Sequence, residues 1–89
     1  LKSQLNQSFQ QLFDRLPPHI QRQAVKQYEL WRTDPHHPSL QFKQIVPRVW
    51  SARVNRQYRV LGRQRADDDI IVWFWIGPHD EYDKLLAGR

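Results

Sequence analysis

Apolar positions change period twice along the chain, giving helices first and strands afterwards. Phe9, Leu12, Phe13 and Leu16 recur at steps of three and four, which puts them on one face of a helix that Asn6 or Ser8 would cap. Residues 1–5 alternate over too short a run to choose between a strand and a frayed helix. Pro17 and Pro18 end the first helix and, because proline is well accepted in a first helical turn, also start a second. The second helix carries Ile20, Ala24, Tyr28 and Trp31 on its apolar face. It should stop by Thr33, since Asp34 precedes Pro35 and the residue before proline is pushed out of helical geometry. Two amphipathic helices joined this tightly form a hairpin that needs a sheet to cover its apolar stripes.

After the PHHPS loop at 35–39 the period becomes two. Leu40, Phe42 and Ile45 read as the inward face of a short strand, interrupted at Pro47. In WSARVNRQYRVLGR, 50–63, the even positions Trp50, Ala52, Val54, Tyr58 and Val60 are apolar, while Ser51, Arg53, Asn55, Gln57 and Arg59 are polar. Taken as one strand without a bulge, this sends one face to the helices and sets Arg53 and Arg59 side by side on the other. Residues 62–69 then form a polar hairpin connection. Asp67, Asp68 and Asp69 serve there as turn formers rather than as a cation site, which would need a glycine-centred loop and further ligands. IIVWFWI, 70–76, is too short for a membrane span and reads as a strand buried on both faces, hence central in the sheet. Gly77 and Pro78 stop it, and the tail from Asp80 to Leu86 suits one closing helix.

Eighty-nine residues provide for a single domain over 1–89 with one core. The chain has no cysteine, which excludes a disulfide framework and a thiolate zinc site and makes the cytoplasm the default location. Neither a membrane span nor a signal-peptide pattern is present. Placement of charge is more informative than its sum of +5. Residues 35–66 include no acid, yet they hold Lys43, Arg48, Arg53, Arg56, Arg59, Arg63 and Arg65, seven of the fourteen basic residues. A field of one sign costs self-repulsion, and a polyanionic partner is the usual reason to keep it; the alternative is a solvated basic face with no ligand.

If the strands are antiparallel neighbours, Lys43, Arg53, Arg59, His79 and Tyr82 reach one patch. Cleaving RNA needs a base for the 2′-hydroxyl, an acid for the departing 5′-oxygen and cations on the phosphate, and imidazole and guanidinium suit those tasks. Tyr82 would stack on a base or donate a proton. Each residue also has a plainer reading. His79 after Gly-Pro would cap backbone groups, and Tyr82 with Leu85 and Leu86 would form the core face of the last helix. His36 and His37 decorate a loop, His19 faces solvent, and Trp31, Trp50, Trp73 and Trp75 fill the core. By composition and spacing, nucleic-acid binding is better supported than catalysis.

The order helix, LPP, helix ending in tryptophan, then HPSLQFK, S-x-R-V-x-x-x-Y-R-V and a closing strand with H-x-x-Y resembles the RelE/ParE superfamily of toxins from type II toxin–antitoxin pairs, over nearly the whole chain. It is most similar to the RelE-like branch. That resemblance implies an α+β fold, with the helical hairpin packed on a curved, mainly antiparallel sheet of about four strands and residues 1–5 as a short edge strand. It implies a ribosome-dependent messenger-RNA endonuclease without metal or cofactor, and a cognate antitoxin with which the chain forms a hetero-oligomer. Arg59 falls where these nucleases hold the scissile phosphate. Arg53 matches a frequently basic position and would help bind the substrate; Arg48 and Arg56, from the acid-free window rather than from the resemblance, are further candidate substrate contacts. Lys43 falls where relatives place a lysine, and His79 and Tyr82 lie in the segment that carries the acid, base or stacking group. Some relatives have a glutamate base just before that lysine. SLQF has none, which leaves His79 first and Lys43 second as the base. The same fold also includes inhibitors of DNA gyrase and would accommodate an inactive binding module.

Overall fold

The computed structural model describes residues 2–65 and 69–87. Asn6 starts the first helix: its Oδ1 accepts the backbone N–H of Phe9 at 2.9 Å, supplying a partner that the helix itself cannot give its first turn. Helix α1 spans Gln7–Asp14 and α2 spans Pro18–Thr33, ending where Asp34 leaves helical geometry ahead of Pro35. Gln21 Nε2 donates to the Phe13 carbonyl at 2.9 Å and ties the hairpin across its short turn. The strands are β1 Lys2–Leu5, β2 Lys43–Val46, β3 Val49–Arg53, β4 Tyr58–Gln64 and β5 Ile70–Pro78, and α3 follows directly as His79–Ala87.

These strands form one mixed sheet in the order β1-β5-β4-β3-β2. The α+β class with a helical hairpin on a mainly antiparallel sheet is as expected, with five strands in place of about four. The difference arises at Asn55. Its side-chain oxygen accepts the N–H groups of Gln57 at 2.8 Å and Tyr58 at 2.9 Å, folding residues 54–57 into a turn where a single strand was expected. Arg53 and Arg59 therefore face each other across two strands. The polarity of the faces survives because the fold-back preserves parity: Ala52 pairs with Val60 and Ser51 with Leu61.

Residues 2–5 do form an edge strand, parallel to β5, with Lys2 opposite Ile70 and Leu5 opposite Trp73. The apolar run 70–76 is thus an interior strand one place from the edge, and β4 holds the centre. Between Leu61↔Trp75 and Gly62↔Trp73 the register slips by one, so Phe74 has no partner. This bulge lets Ile71, Trp73 and Ile76 all enter the core while Trp75 moves to the outer face. Leu40 and Phe42 point inward as expected but precede the strand. Leu40 closes a 3₁₀ turn at Pro38–Leu40, and the left-handed Gln41, φ 45°, breaks the chain before β2. Of the three turn aspartates, Asp67 and Asp68 lie outside the described residues; Asp69 offers its carbonyl to Lys2 N–H at 2.8 Å.

The core is aromatic. Trp31 meets Trp73 edge-on at 5.4 Å and Phe42 at 5.7 Å, and Phe42 stacks on Trp50 at 4.6 Å. Trp50 is half-buried and donates its indole N–H to Gln64 Oε1 at 3.2 Å. Among the described residues no helix is long and apolar enough to cross a membrane.

Candidate nucleic-acid interface

The sheet face turned away from α1 and α2 carries the basic residues. Cross-strand register arranges them in rows, because residues directly opposite share a face. One row reads Lys43, Ser51, Leu61, Trp75, and the next reads Arg53, Arg59, Gly77. Helix α3 starts immediately beyond Pro78 and folds back over the first row. Its anchor is Tyr82, which is only 7% exposed and donates its hydroxyl to Ser51 Oγ at 3.3 Å. Tyr82 is thus brought to the patch but faces inward, with its ring 5.9 Å from that of His79.

His79 is the first residue of α3, its N–H held by the Gln57 carbonyl. The ring stays partly open, with the side chain 43% exposed, and Nδ1 lies 3.0 Å from Asp83 Oδ2. A carboxylate on Nδ1 keeps a proton there and leaves Nε2 to accept or give one outward. Sequence reasoning missed Asp83. Its signal was the four-residue spacing from His79 on a helix, which makes the two side chains neighbours.

Arg59 is half-buried. Its Nη1 donates to the carbonyls of Asn55 at 2.7 Å and Tyr58 at 3.1 Å, so the turn that makes the hairpin also fixes the guanidinium. Among the described residues Nε and Nη2 make no hydrogen bond, which leaves donors for a ligand oxygen. Burial first, and then the positive charge of Arg53, pull the Arg59 pKa below its ordinary value, while Tyr82 and Asp83 act the other way. The protein therefore holds this cation at a cost that an arriving anion would relieve.

Arg56 sits on the exposed 54–57 turn and, with Arg59, Pro78 and His79, lines a shallow cleft of about 460 Å³. Lys43 is exposed on the edge strand β2, on the far side of the arginine pair from His79. Arg48 is not brought to this group. It occupies the β2–β3 turn with φ 66°, at the opposite end of the sheet beside Arg63 and Phe74. Among the described residues no group of three or more His, Asp or Glu side chains could hold a metal ion.

The family model described as the ParE-like toxin domain matches residues 18–84. No curated protein matches the chain. Among solved structures, the chain is similar to a YoeB/ParE toxin from Agrobacterium tumefaciens at 12% identity and TM-score 0.68, covering 89% of this chain and 99% of that one. It is similar to the RelE of an archaeal RelE–RelB complex from Pyrococcus horikoshii at 15% identity and TM-score 0.66, covering 86% and 92%. The isolated E. coli RelE toxin gives 11% identity and TM-score 0.65, with 97% and 95% covered. At such identities these are likenesses of fold.

Proposed function

The chain belongs to the ParE-like toxin family of the RelE/ParE superfamily, and on that basis we propose that it is the toxin of a toxin–antitoxin pair, an endoribonuclease that cuts messenger RNA on the ribosome and so stops translation in the cytoplasm. The observation that carries this reading is the juxtaposition of the Arg53–Arg59 pair with the His79–Asp83 pair at the end of β5.

In the proposed reaction Arg59 and Arg53 bind the non-bridging oxygens of the scissile phosphate and stabilise the charge that builds there. His79 Nε2 takes the proton of the 2′-hydroxyl as its oxygen attacks the adjacent phosphorus. The bond from phosphorus to the 5′-oxygen breaks, giving a 2′,3′-cyclic phosphate and a 5′-hydroxyl. Lys43 lies three strand spacings from β5, about 14 Å between backbones, so the arginines separate it from His79. From that side its ammonium protonates the departing 5′-oxygen. No step calls on a metal or cofactor. Tyr82 contributes by holding α3, and with it His79, against the sheet, while Arg56 extends the contact along the strand. The partner in the resting cell is a cognate antitoxin, as in the RelE–RelB complexes among the structural neighbours. An acidic segment of that antitoxin suits the basic face.

Brief expression in bacteria with mapping of new messenger-RNA ends tests the reading. Ends concentrated in translated codons, and absent with His79→Ala, are expected. Intact messages with arrested growth would overturn it and direct attention to DNA gyrase; intact messages with normal growth would leave a binding module.

A further inference from the structure

The outer face of the sheet bears a second cationic site, separated from the first by α3. Beyond the row that Tyr82 covers, Arg63 lies opposite Val49 on one side and Val72 on the other. With Arg48, the bulged Phe74 and Asn6 they line a cleft of about 680 Å³ that, among the described residues, includes no acidic side chain. The Arg63 guanidinium carbon sits 5.7 Å above the centre of the Phe74 ring. Arg48 lines this cleft from the β2–β3 turn, where its backbone adopts the left-handed conformation, φ 66°.

We propose that this cleft is a second nucleotide subsite, which holds the phosphate and base of a single RNA strand, another phosphate of which, further along the strand, rests on Arg53 and Arg59. The proposal deepens the nuclease reading and rests on it. Three features point to RNA rather than to an acidic protein segment. First, Arg59 and Arg63 stand on the same face of one strand, four residues and so about 13 Å apart, a separation one flexible strand bridges. Second, a guanidinium over an aromatic ring sets a cation and a planar apolar surface side by side, which suits the phosphate and the unpaired base of one nucleotide. Third, Phe74 lines this cleft on the outer face although its strand is otherwise apolar, which sets an aromatic ring beside the cations. A carboxylate-bearing helix would use the arginines and leave the planar surface idle.

The test reads binding, not cleavage, so its failure is distinct from failure of the nuclease reading. Affinities of the intact protein are measured at two salt concentrations for 2′-O-methyl RNA, which cannot be cut. The probes are a dinucleotide, whose one phosphate occupies one site, and an octanucleotide, which spans both. Arg63→Gln combined with Phe74→Leu should weaken the octanucleotide at least about fivefold, the lower end for loss of one stacked base, and leave the dinucleotide unchanged. Its salt dependence should fall by about 0.7 in the log–log slope for the phosphate contact removed. Arg63→Gln alone, a change at an exposed side chain, should give the same slope change and guards against a folding defect in the double variant. Unchanged octanucleotide affinity in both variants, while Arg59→Ala weakens it, overturns the second subsite and leaves the nuclease reading standing. Displacement of an acidic peptide by these substitutions with RNA affinity intact also overturns it. Absence of binding to either RNA by the parent protein, together with intact messages in cells, overturns both.

Discussion

Replacing Arg53 with glutamine should make the protein more stable and a poorer ligand for phosphate. Arg53 and Arg59 are direct cross-strand partners on β3 and β4, so their α-carbons stand about 4.5–5.5 Å apart with both side chains on one face. Like charges in that relation destabilise a sheet by about 0.2–1 kcal/mol. The direction agrees with the depressed Arg59 pKa, to which Arg53 contributes second after burial. Because the arginine is the base whose charged form suffers, lowering its pKa removes stability at every pH below that pKa, the whole range in which the protein would be handled. Glutamine keeps part of the apolar stem and leaves untouched the bond from Gln27 to the Arg53 carbonyl. A gain of about 0.2–1 kcal/mol corresponds to a rise in Tm of roughly 1–8 °C for a domain of this size. Added salt screens the pair, so the parent should gain more from it than the variant does. Thermal melts at low and high salt, with RNA binding in parallel, give both halves of the test. A variant that is less stable, or that responds to salt as the parent does, would refute the reasoning that the site stores repulsion for its ligand.

Other substitutions probe the frame that positions the site. A Cβ at Gly62 would come within 2.5 Å of Ile71 Cγ2 and 2.7 Å of Trp73 Cε3, so Gly62→Ala should cost about 1–3 kcal/mol by urea unfolding; a loss below half of that would mean the core is looser than described. Tyr82→Phe removes the buried bond to Ser51 and should cost about 0.5–1.5 kcal/mol while cleavage stays within a few-fold. A large loss of cleavage at unchanged stability would instead make the hydroxyl a participant. Asn6→Ala deletes the α1 cap and should lower stability by about 1 kcal/mol, measured by denaturant titration, with RNA binding unaffected. His79→Ala should reduce single-turnover cleavage by about 10²–10⁴-fold, and Asp83→Asn by less, since it disturbs the imidazole rather than removing it; equal rates in parent and Asp83→Asn would remove the carboxylate from the account.

Much of this was legible in the sequence because the signals were local. Asn6, the Pro17–Pro18 pair and Asp34 before Pro35 act within a turn of where they stand, and the helix ends follow them. The facing of Arg53 and Arg59 came out as the alternation implied because the register set by the turn pairs the two directly; a slip of one residue would have sent Arg59 to the other face. The hairpin itself was not, since the turn depends on Asn55 bonding its own neighbours without a glycine to mark it. Parallel pairing of β1 with β5 joins residues nearly seventy positions apart, which no local period encodes. The bulge at Phe74 is set by the partner strand, so the outward turn of Trp75 was hidden as well. Lys43, Arg53 and Arg59 share the outer face and His79 follows at the end of β5, while Tyr82 meets them from the buried side. Arg56 reaches His79 from the 54–57 turn, which an alternating strand would have hidden, and Arg48 falls at the other end because the β2–β3 turn carries it there.

The most direct measurement is the chemistry of the cut ends. Translating ribosomes carrying a defined message are incubated with the purified protein, and the fragments are analysed for their termini, with Arg59→Ala in parallel. A 2′,3′-cyclic phosphate on the upstream fragment and a 5′-hydroxyl on the downstream one, both lost in Arg59→Ala, are the predicted result. An uncut message, or cutting that persists in Arg59→Ala, would contradict the assignment of the Arg53–Arg59 face as the site of RNA cleavage.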